Sequence, residues 1–479
     1  MATALAPPCD EAAGVRQRAV LDGTVGVLVA TVMGSSLAFV VGAIINVALP
    51  SMQAEFGLNA AGAQWIVNAY LLPLGALVLI GGALGDHYGR KRLFVAGLVL
   101  FTVACVVCAL APNTIVLFAA RAAQGVGAAM LAPNSLSIIA AAFSGAERGK
   151  AVGAWAAAGA IAGAGAPLLG GWIVDLASWR WAFAIIVPFA AATLLVALRS
   201  VSESRSAEGE RAALDITGAA LITLALAALV WAMIAAPVRG LTSLVLGAFA
   251  AGVVLAVAFI FVERSKGEQA MMPLGLFGTG SFVGITVLTF LLYGALGGLI
   301  VLLPYVLINS FGYGAAAAGA AILPFPLVIG TFSRMMGGVA TKVGTRVVLT
   351  AGPFVVGIGF LVLSFVPTEE LSYWWNVLPG LLVIASGMAI SVAPLTTAVM
   401  NAVSDSHVGV ASGVNNATSR IAGLIATALL GPVMVSAGAG DGSLTTGFAT
   451  AAMIGSALAF ASAAASWMLI APDLDDNSV

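Results

Sequence analysis

The chain has 479 residues, of which 61% are hydrophobic and only 8% are Asp, Glu, Lys or Arg. Because soluble globular proteins carry about 25% charged residues, this composition excludes an ordinary water-soluble domain and a disordered chain. The 19 basic and 20 acidic residues give a net charge of −1, which excludes the basic surplus of a nucleic-acid-binding protein. The three cysteines do not form a disulfide pattern, and the two histidines are too far apart in sequence to predict a metal site.

Charge-free stretches follow one another along the whole chain. A helix needs about 20 apolar residues to cross a bilayer, so the longest stretch, 269–333, must fold back on itself. Breaks at polar or Gly/Pro segments, such as 50–63 and 309–314, divide the chain into fourteen predicted transmembrane spans. The predicted spans are 24–49, 64–85, 93–111, 114–140, 151–174, 181–198, 216–236, 241–262, 280–303, 315–338, 347–366, 376–402, 409–435 and 446–470.

The distribution of Lys and Arg predicts which ends of the spans face the cytoplasm. With both termini inside, the predicted cytoplasmic segments hold fourteen basic residues, whereas the external loops hold only Arg180 and Arg239. The remaining three, Arg121, Arg334 and Arg420, fall inside predicted spans. We therefore expect a multi-pass protein of the plasma membrane, or of the inner membrane if the source is Gram-negative, with both termini in the cytoplasm.

Two predicted turns in different parts of the chain resemble each other. Residues 82–97 and 337–352 align with three pairs of glycines in register, and the pairs 132–133 and 393–394 are both Ala-Pro. In each case the two copies are eight predicted spans apart. Two six-helix halves separated by two inserted helices account for this spacing, and such repeats are typical of secondary transporters. The alternative is a chance similarity between two Gly-rich turns.

The predicted architecture is therefore an all-α integral membrane protein with two six-helix bundles and two inserted helices. Its segments are a cytoplasmic N-terminus at 1–23, the first bundle at 24–198, a cytoplasmic linker at 199–214, the inserted helices at 215–262, a cytoplasmic loop at 263–279, the second bundle at 280–470 and a cytoplasmic tail at 471–479.

The turn between the second and third predicted spans, GALGDHYGRKR, closely resembles the signature of the major facilitator superfamily at the same place. Gly82 and Gly89 allow close helix approach and a tight turn. Asp86 can pair with an arginine or a helix N-terminus in one conformation only. Arg90 and Lys91 can bind the anionic inner leaflet. We expect these residues to act as a gating motif, and the alternative is a plain basic turn that obeys the positive-inside rule.

Further motifs resemble the fourteen-span drug:proton antiporter branch of that superfamily. The matching residues are Asn46-Val47-Ala48-Leu49-Pro50 in the first helix, Trp65 and Tyr70 in the second, Arg121, Gln124, Gly125 and Gly127 in the fourth, Gly159, Gly163, Gly165, Pro167, Gly170 and Gly171 in the fifth, Trp179-Arg180-Trp181 before the sixth, Asp215 and Gly218 at the first inserted helix, and Asn415 and Arg420 in the thirteenth. The resemblance implies a major facilitator fold and a proton-coupled exporter that works by alternating access, with a substrate cavity near the membrane midplane.

Three positions depart from the pattern of that branch. Val41 stands where its members usually have an aspartate, five residues before Asn46, so the usual coupling acid is missing. Ala166 replaces a glycine before Pro167 in the fifth helix, and Ile186 replaces an asparagine after the Trp-Arg-Trp turn.

The fifth predicted helix combines closely spaced glycines with an internal proline. Gly159 and Gly163 are four residues apart, and small residues at this spacing let two helix backbones approach closely. Pro167 removes a backbone donor and permits a bend. We expect a closely packed, bendable helix suited to a rocking motion, and the alternative is small-residue packing in a static bundle.

The arginines at half-depth are the strongest candidates for the substrate site, because ionisable groups inside a membrane are functional by default. Arg121 and Arg420 lie near the predicted midplane, and no Asp or Glu occupies the central turns of any span. A buried cation without a partner costs several kcal/mol, so we predict an electropositive cavity that favours neutral or anionic amphipathic substrates. The alternative is that both arginines are structural, bonded to carbonyls and neighbours. The predicted substrate or coupling residues are Arg121, Gln124, Asn46, Tyr70, Asn415 and Arg420.

The sequence therefore predicts a proton-coupled exporter of drug- or antibiotic-like small molecules, and not an enzyme or a channel. The alternative is a transporter, in either direction, of an endogenous metabolite that is not coupled through an acid in the first helix. The expected partners are a small-molecule substrate and the lipid bilayer, without nucleic acid. We expect a monomer that uses a proton gradient and no cofactor.

Overall fold

A computed structural model describes residues 9–205, 214–367, 371–404, 407–437 and 444–472 of the chain. The predicted N-terminal segment, the linker 199–214 and the tail 471–479 lie partly outside these ranges. The described residues form helices and turns without a strand. The helices are α1 Cys9–Phe56, α2 Ala60–Tyr88, α3 Arg90–Ala109, α4 Thr114–Ala142, α5 Gly145–Leu176, α6 Trp179–Ala184, α7 Ile186–Ser200, α8 Ile216–Arg239, α9 Ser243–Lys266, α10 Gly280–Phe311, α11 Ala315–Ile322, α12 Pro324–Val343, α13 Thr345–Leu363, α14 Leu378–Asn401, α15 Val408–Ala437 and α16 Leu444–Leu469.

The helices match the predicted spans one for one. In the described part of the chain, 13 helical segments are long and apolar enough to cross a membrane, with α6 and α7 forming one segment and α11 and α12 another. The predicted span 409–435 corresponds to α15, a helix of 30 residues that is not among the 13. The prediction of an all-helical membrane protein is confirmed, and the count of fourteen is roughly consistent with the structure.

Helix α1 is longer than its predicted span, because it continues through Pro50 to Phe56. An internal proline costs a backbone hydrogen bond, but tertiary contacts favour the extra turn. Met52 is completely buried there. Glu55 accepts hydrogen bonds from Trp179 Nε1 at 2.7 Å and from Arg180 Nη1 at 2.5 Å, which joins α1 to α6.

The repeated turns have the same local structure. Gly89 ends α2 with φ at 116° and Gly344 ends α12 with φ at 96°, which are conformations that favour glycine. Each of these glycines donates its backbone N–H to the carbonyl four residues earlier, Gly85 or Ala340. We call the side of the molecule that carries the turn 89–92 the basic face, and the other side the opposite face.

Two large apolar clusters form the cores of the two halves. One contains buried residues between Val27 and Val201, and the other contains buried residues between Leu276 and Ile470. A smaller cluster joins them through α8, whose residue Val230 packs with Ala76 of α2 and Leu424 of α15. The inserted helix α8 therefore packs against both halves.

The ends of α8 and α9 at the basic face are held by a buried ionic cluster. Asp215 caps α8 by accepting from Gly218 N at 2.6 Å and from Lys266 Nζ at 2.5 Å. Burial raises the pKa of Asp215, but these hydrogen bonds outweigh it and hold that pKa below its ordinary value. Glu263, which is completely buried, accepts from Met272 N at 2.6 Å. The cluster therefore fixes the inserted pair to the segment that leads into α10.

Candidate functional site

A cavity of about 500 Å³ lies between the two halves. The first half contributes Asn46, Tyr70 and Arg121 to its lining, and the second half contributes Tyr293 and Arg420. Most other lining side chains are apolar, and within the described ranges no Asp or Glu lines the cavity. Apolar pockets with a few fixed polar groups are typical of small-molecule sites.

Arg121 is completely buried, and its guanidinium is bonded within the first half. Nε donates to the Ile66 carbonyl at 3.0 Å and Nη1 donates to Gln124 Oε1 at 2.5 Å. The guanidinium also lies 4.4 Å from the centroid of the Tyr70 ring, within the range of a cation–π contact. Among the described residues, Nη2 has no hydrogen-bond partner and no carboxylate contacts the group. These contacts match the alternative in which Arg121 ties α4 to α2.

Two other predicted site residues take part in the same arrangement. The Gln124 amide donates to Cys105 Sγ at 3.0 Å, so Gln124 joins α4 to α3 instead of lining the cavity. The Tyr70 hydroxyl donates to the Ala38 carbonyl at 3.0 Å, which ties α2 to α1. Tyr70 therefore presents its ring to the cavity while its polar end is already bonded.

Arg420 has different surroundings, although it also lines the cavity. Its side chain is half-buried and its guanidinium lies 5.6 Å from the centroid of the Phe39 ring in the other half. In the described part of the chain it has neither a hydrogen-bond acceptor nor an ion-pair partner. The two arginines that the sequence grouped together thus differ: one is bonded inside the protein and the other is available in the cavity.

Asn415 does not line the cavity. It accepts a hydrogen bond from Thr289 Oγ1 at 2.7 Å, which joins α15 to α10 inside the second half. Its predicted place among the substrate residues came from sequence resemblance alone. The structure gives it an interhelical contact instead.

The predicted gating motif forms a network at the basic face. Asp86 accepts from Arg90 at 2.8 Å, and Lys91 Nζ donates to the Leu198 carbonyl at 3.0 Å. Glu203, which the sequence did not single out, accepts from the backbone N–H of Lys91 at 3.1 Å. A Cβ on Gly89 would lie 2.6 Å from this carboxyl group, and the φ of 116° at Gly89 is a conformation that favours glycine. In the sequence, only the position of Glu203 shortly after the end of α7 could have indicated this contact.

Gly82, in the same motif, belongs to a close contact between α2 and α4. Its own Cβ position lies 3.3 Å from Pro133. One turn later, a Cβ on Gly85 would clash with the Asn134 side chain, whose Nδ2 donates to the Gly81 carbonyl at 2.9 Å. The glycines therefore allow an amide to bond one helix directly to the next.

The fifth-helix motif makes its closest contacts near the opposite face. A Cβ on Gly171 would lie 2.3 Å from the Ala315 carbonyl oxygen of α11, and a Cβ on Gly319 would lie 2.2 Å from the Pro167 oxygen. Gly170 similarly leaves room for Ile44 of α1. Gly171 and Gly319 therefore let α5 and α11 approach closely, which brings α5 against the second half.

The predicted close approach at Gly159 and Gly163 is not seen. A Cβ on Gly159 would meet only the Phe39 ring, at 3.1 Å, and Gly163 and Gly165 have no neighbour within 4 Å. The reason is that Gly159 and Gly163 line the cavity. The small side chains there widen the cavity instead of packing two backbones together.

Asp175 joins the halves at the opposite face. Its carboxylate accepts from the backbone N–H groups of Ala315 at 3.0 Å and Ala316 at 2.8 Å, which are in the first turn of α11. Nearby in the fold, the Tyr305 hydroxyl donates to Gln53 Oε1 at 2.8 Å, linking α10 to α1. Sequence reasoning placed Asp175 in an external loop and could not detect this contact, because it depends on how the halves meet.

Comparisons with known proteins agree with this geometry. A family model described as Major Facilitator Superfamily matches residues 31–427. Multidrug resistance protein Stp of Mycobacterium tuberculosis is 35% identical over 412 residues, covering 85% of this chain and 75% of the relative. Methylenomycin A resistance protein of Bacillus subtilis is 32% identical, with coverage of 86% and 87%.

The fold also matches solved structures. A D-xylose–proton symporter superposes with a TM-score of 0.67 over 93% of this chain and 98% of the other, at 17% identity. A likeness at this identity shows the fold alone, and it confirms the predicted major facilitator architecture. The chain belongs to the Major Facilitator Superfamily of membrane transporters.

Proposed function

We propose that this chain is a secondary active exporter of drug- or antibiotic-like amphipathic molecules, driven by a proton gradient. The observation that carries the proposal is the largely apolar cavity of about 500 Å³ between two similarly built halves. The names of relatives support the substrate class, since they include a multidrug resistance protein and a methylenomycin A resistance protein. Both halves of one chain contribute to the lining of the cavity, which supports a transporter that works as a monomer.

The contacts between the halves support alternating access. Near the opposite face, α5 and α11 are in backbone contact at Gly171 and Ala315, and Asp175 bonds to the first turn of α11. Toward the basic face, a Cβ added to Gly149 or Gly153 of α5 would meet no atom within 4 Å. The positive-inside rule places the basic face in the cytoplasm of a plasma membrane or bacterial inner membrane. With this orientation, the contact between α5 and α11 lies on the external side, and we propose that the structure is a state closed toward the outside.

Proton coupling in this chain needs a group outside the cavity. Val41 is completely apolar and 2% exposed, and within the described ranges no carboxylate lines the cavity. Among the described residues, the carboxylate of Asp175 bonds one half to the other, at the opposite face and away from the cavity. Asp175 is therefore a candidate for controlling closure of the opposite face.

A susceptibility panel tests the export proposal. In bacterial cells that lack their main efflux pumps, expression of the chain should raise the inhibitory concentration of a subset of amphipathic antibiotics severalfold over an empty vector. The cells should also retain less of a fluorescent member of that subset. Unchanged susceptibility and unchanged retention across the panel, with the protein present in the membrane, would contradict drug export.

A further inference from the structure

Among the described residues that line the cavity, Arg420 is a cation whose guanidinium has no hydrogen-bond acceptor and no ion-pair partner. Arg420 is half-buried, lines the cavity and is contacted on its cationic group by the Phe39 ring at 5.6 Å. The other cavity arginine, Arg121, is already bonded to a carbonyl and to Gln124. Arg420 is therefore the cationic group that a ligand in the cavity can reach.

The described carboxylates that form ion pairs do so away from the cavity. The pairs of Arg90 with Asp86, Arg92 with Glu203 and Lys266 with Asp215 lie at the basic face, and that of Arg180 with Glu55 lies at the opposite face. A cation in a low-dielectric environment without a counter-charge is costly, and the cost falls when an anion binds. An anionic group of a ligand that enters the cavity can therefore neutralise the charge of Arg420.

The hydroxyl group of Tyr293 offers a second donor beside this charge. Tyr293 lines the same cavity and lies within electrostatic reach of Arg420. The structure gives its hydroxyl no partner among the described residues. Two hydroxyl groups on the lining are already bonded within the protein: Ser419 donates to the Asn416 carbonyl at 2.8 Å and Thr427 donates to Asn68 Oδ1 at 2.5 Å.

We infer that Arg420, assisted by Tyr293, forms a binding subsite for the anionic group of an amphipathic substrate. The inference rests on the proposed export function and specifies the substrate class of that same cavity. A guanidinium can bond two oxygens of a carboxylate, sulfonate or phosphate at once. The apolar body of the substrate then contacts the surrounding lining, in which Phe325 and Ile329 face the cavity from α12. The predicted preference excludes lipophilic cations as the best ligands.

Equilibrium binding to the purified full chain in lipid nanodiscs tests the inference without requiring transport. Three probes share a naphthylpropyl body and end in a sulfonate, an alcohol or a trimethylammonium group. Isothermal titration calorimetry should give the sulfonate an affinity about tenfold above the alcohol, which is the usual worth of a charge-assisted hydrogen bond. The trimethylammonium probe should bind most weakly.

Two variants assign the preference to Arg420. Arg420→Gln should lose the tenfold advantage of the sulfonate and keep the affinity for the alcohol, which also shows that the variant is folded. Arg420→Lys should retain part of the advantage, because the charge remains while the two-oxygen geometry is lost. Tyr293→Phe should lower the sulfonate affinity alone.

The charge series on the wild-type chain decides the inference even if Arg420→Gln does not fold. Equal affinities for the three probes, or tightest binding of the trimethylammonium probe, would overturn it. A sulfonate advantage that is unchanged in Arg420→Gln would also overturn it. Failure of the proposed function is a separate result: the sulfonate would bind with the expected preference, but the susceptibility panel would show no export.

Discussion

The two cavity arginines show how far the role of a single residue can be predicted from the sequence. The sequence places Arg121 and Arg420 near half-depth and leaves both a functional and a structural reading open. The structure separates them, because Arg121 lies against the Ile66 carbonyl and Arg420 does not contact an acceptor in the described residues. This difference depends on how closely α2 approaches α4. The spacing of residues along one helix gives no information about that distance. The missing first-helix acid at Val41, in contrast, is visible in the sequence itself.

Replacing each arginine by lysine should affect stability differently. A lysine at position 121 cannot bond the Ile66 carbonyl and Gln124 while stacking on Tyr70, so Arg121→Lys should lower the free energy of unfolding by about 2 kcal/mol. Arg420→Lys is the matched control, because Arg420 has a contact with the Phe39 ring but no hydrogen bond to lose among the described residues. Thermal unfolding in nanodiscs without ligand measures both. Equal thermal midpoints for the two variants would contradict the structural role of Arg121.

Helix α5 shows why an element is predicted more easily than its contacts. The small-residue spacing at Gly159 and Gly163 predicts a close approach of two helix backbones, and the structure does not show one at those positions. The structure puts the cavity beside those glycines and the backbone contact with α11 at Gly171. Similarly, Pro50 predicts the end of α1, whereas burial of Met52 extends the helix. Local pattern sets the helices, and tertiary packing sets their ends and partners.

A methyl group added to α5 should reduce export at one position and leave it unchanged at another. The Cβ of Gly171→Ala would lie 2.3 Å from the Ala315 carbonyl oxygen, so the contact near the opposite face must open. If overpacking costs about 1.5 kcal/mol, the population of the state closed there falls about tenfold. Export, measured as efflux of a substrate dye from preloaded cells, should fall accordingly. Gly149→Ala has open space around it and should export normally; equal efflux by both variants would contradict the proposed closing contact.

The overall architecture was predicted from the sequence more completely than the contacts of single residues or helices. Hydropathy and the basic-residue distribution define fourteen spans, and the repeated Gly89 and Gly344 turns indicate two related halves. Long-range bonds such as that from Asp175 to α11 could not be predicted, because they join residues 140 positions apart. In the part of the chain that the structure describes, the halves enclose a cavity, contact each other near the opposite face and are bridged by α8 on the side of α2 and α15. That arrangement is what a rocking exporter requires.

Substrate accumulation in inside-out membrane vesicles tests the central claim most directly. A fluorescent substrate from the susceptibility panel is added outside, and the vesicle interior is made acidic by an imposed pH gradient. We predict uptake that requires the chain, rises with the gradient and stops when nigericin collapses it. Uptake that is equal with and without the gradient would contradict a proton-driven exporter, and no uptake beyond that of control vesicles would contradict export itself.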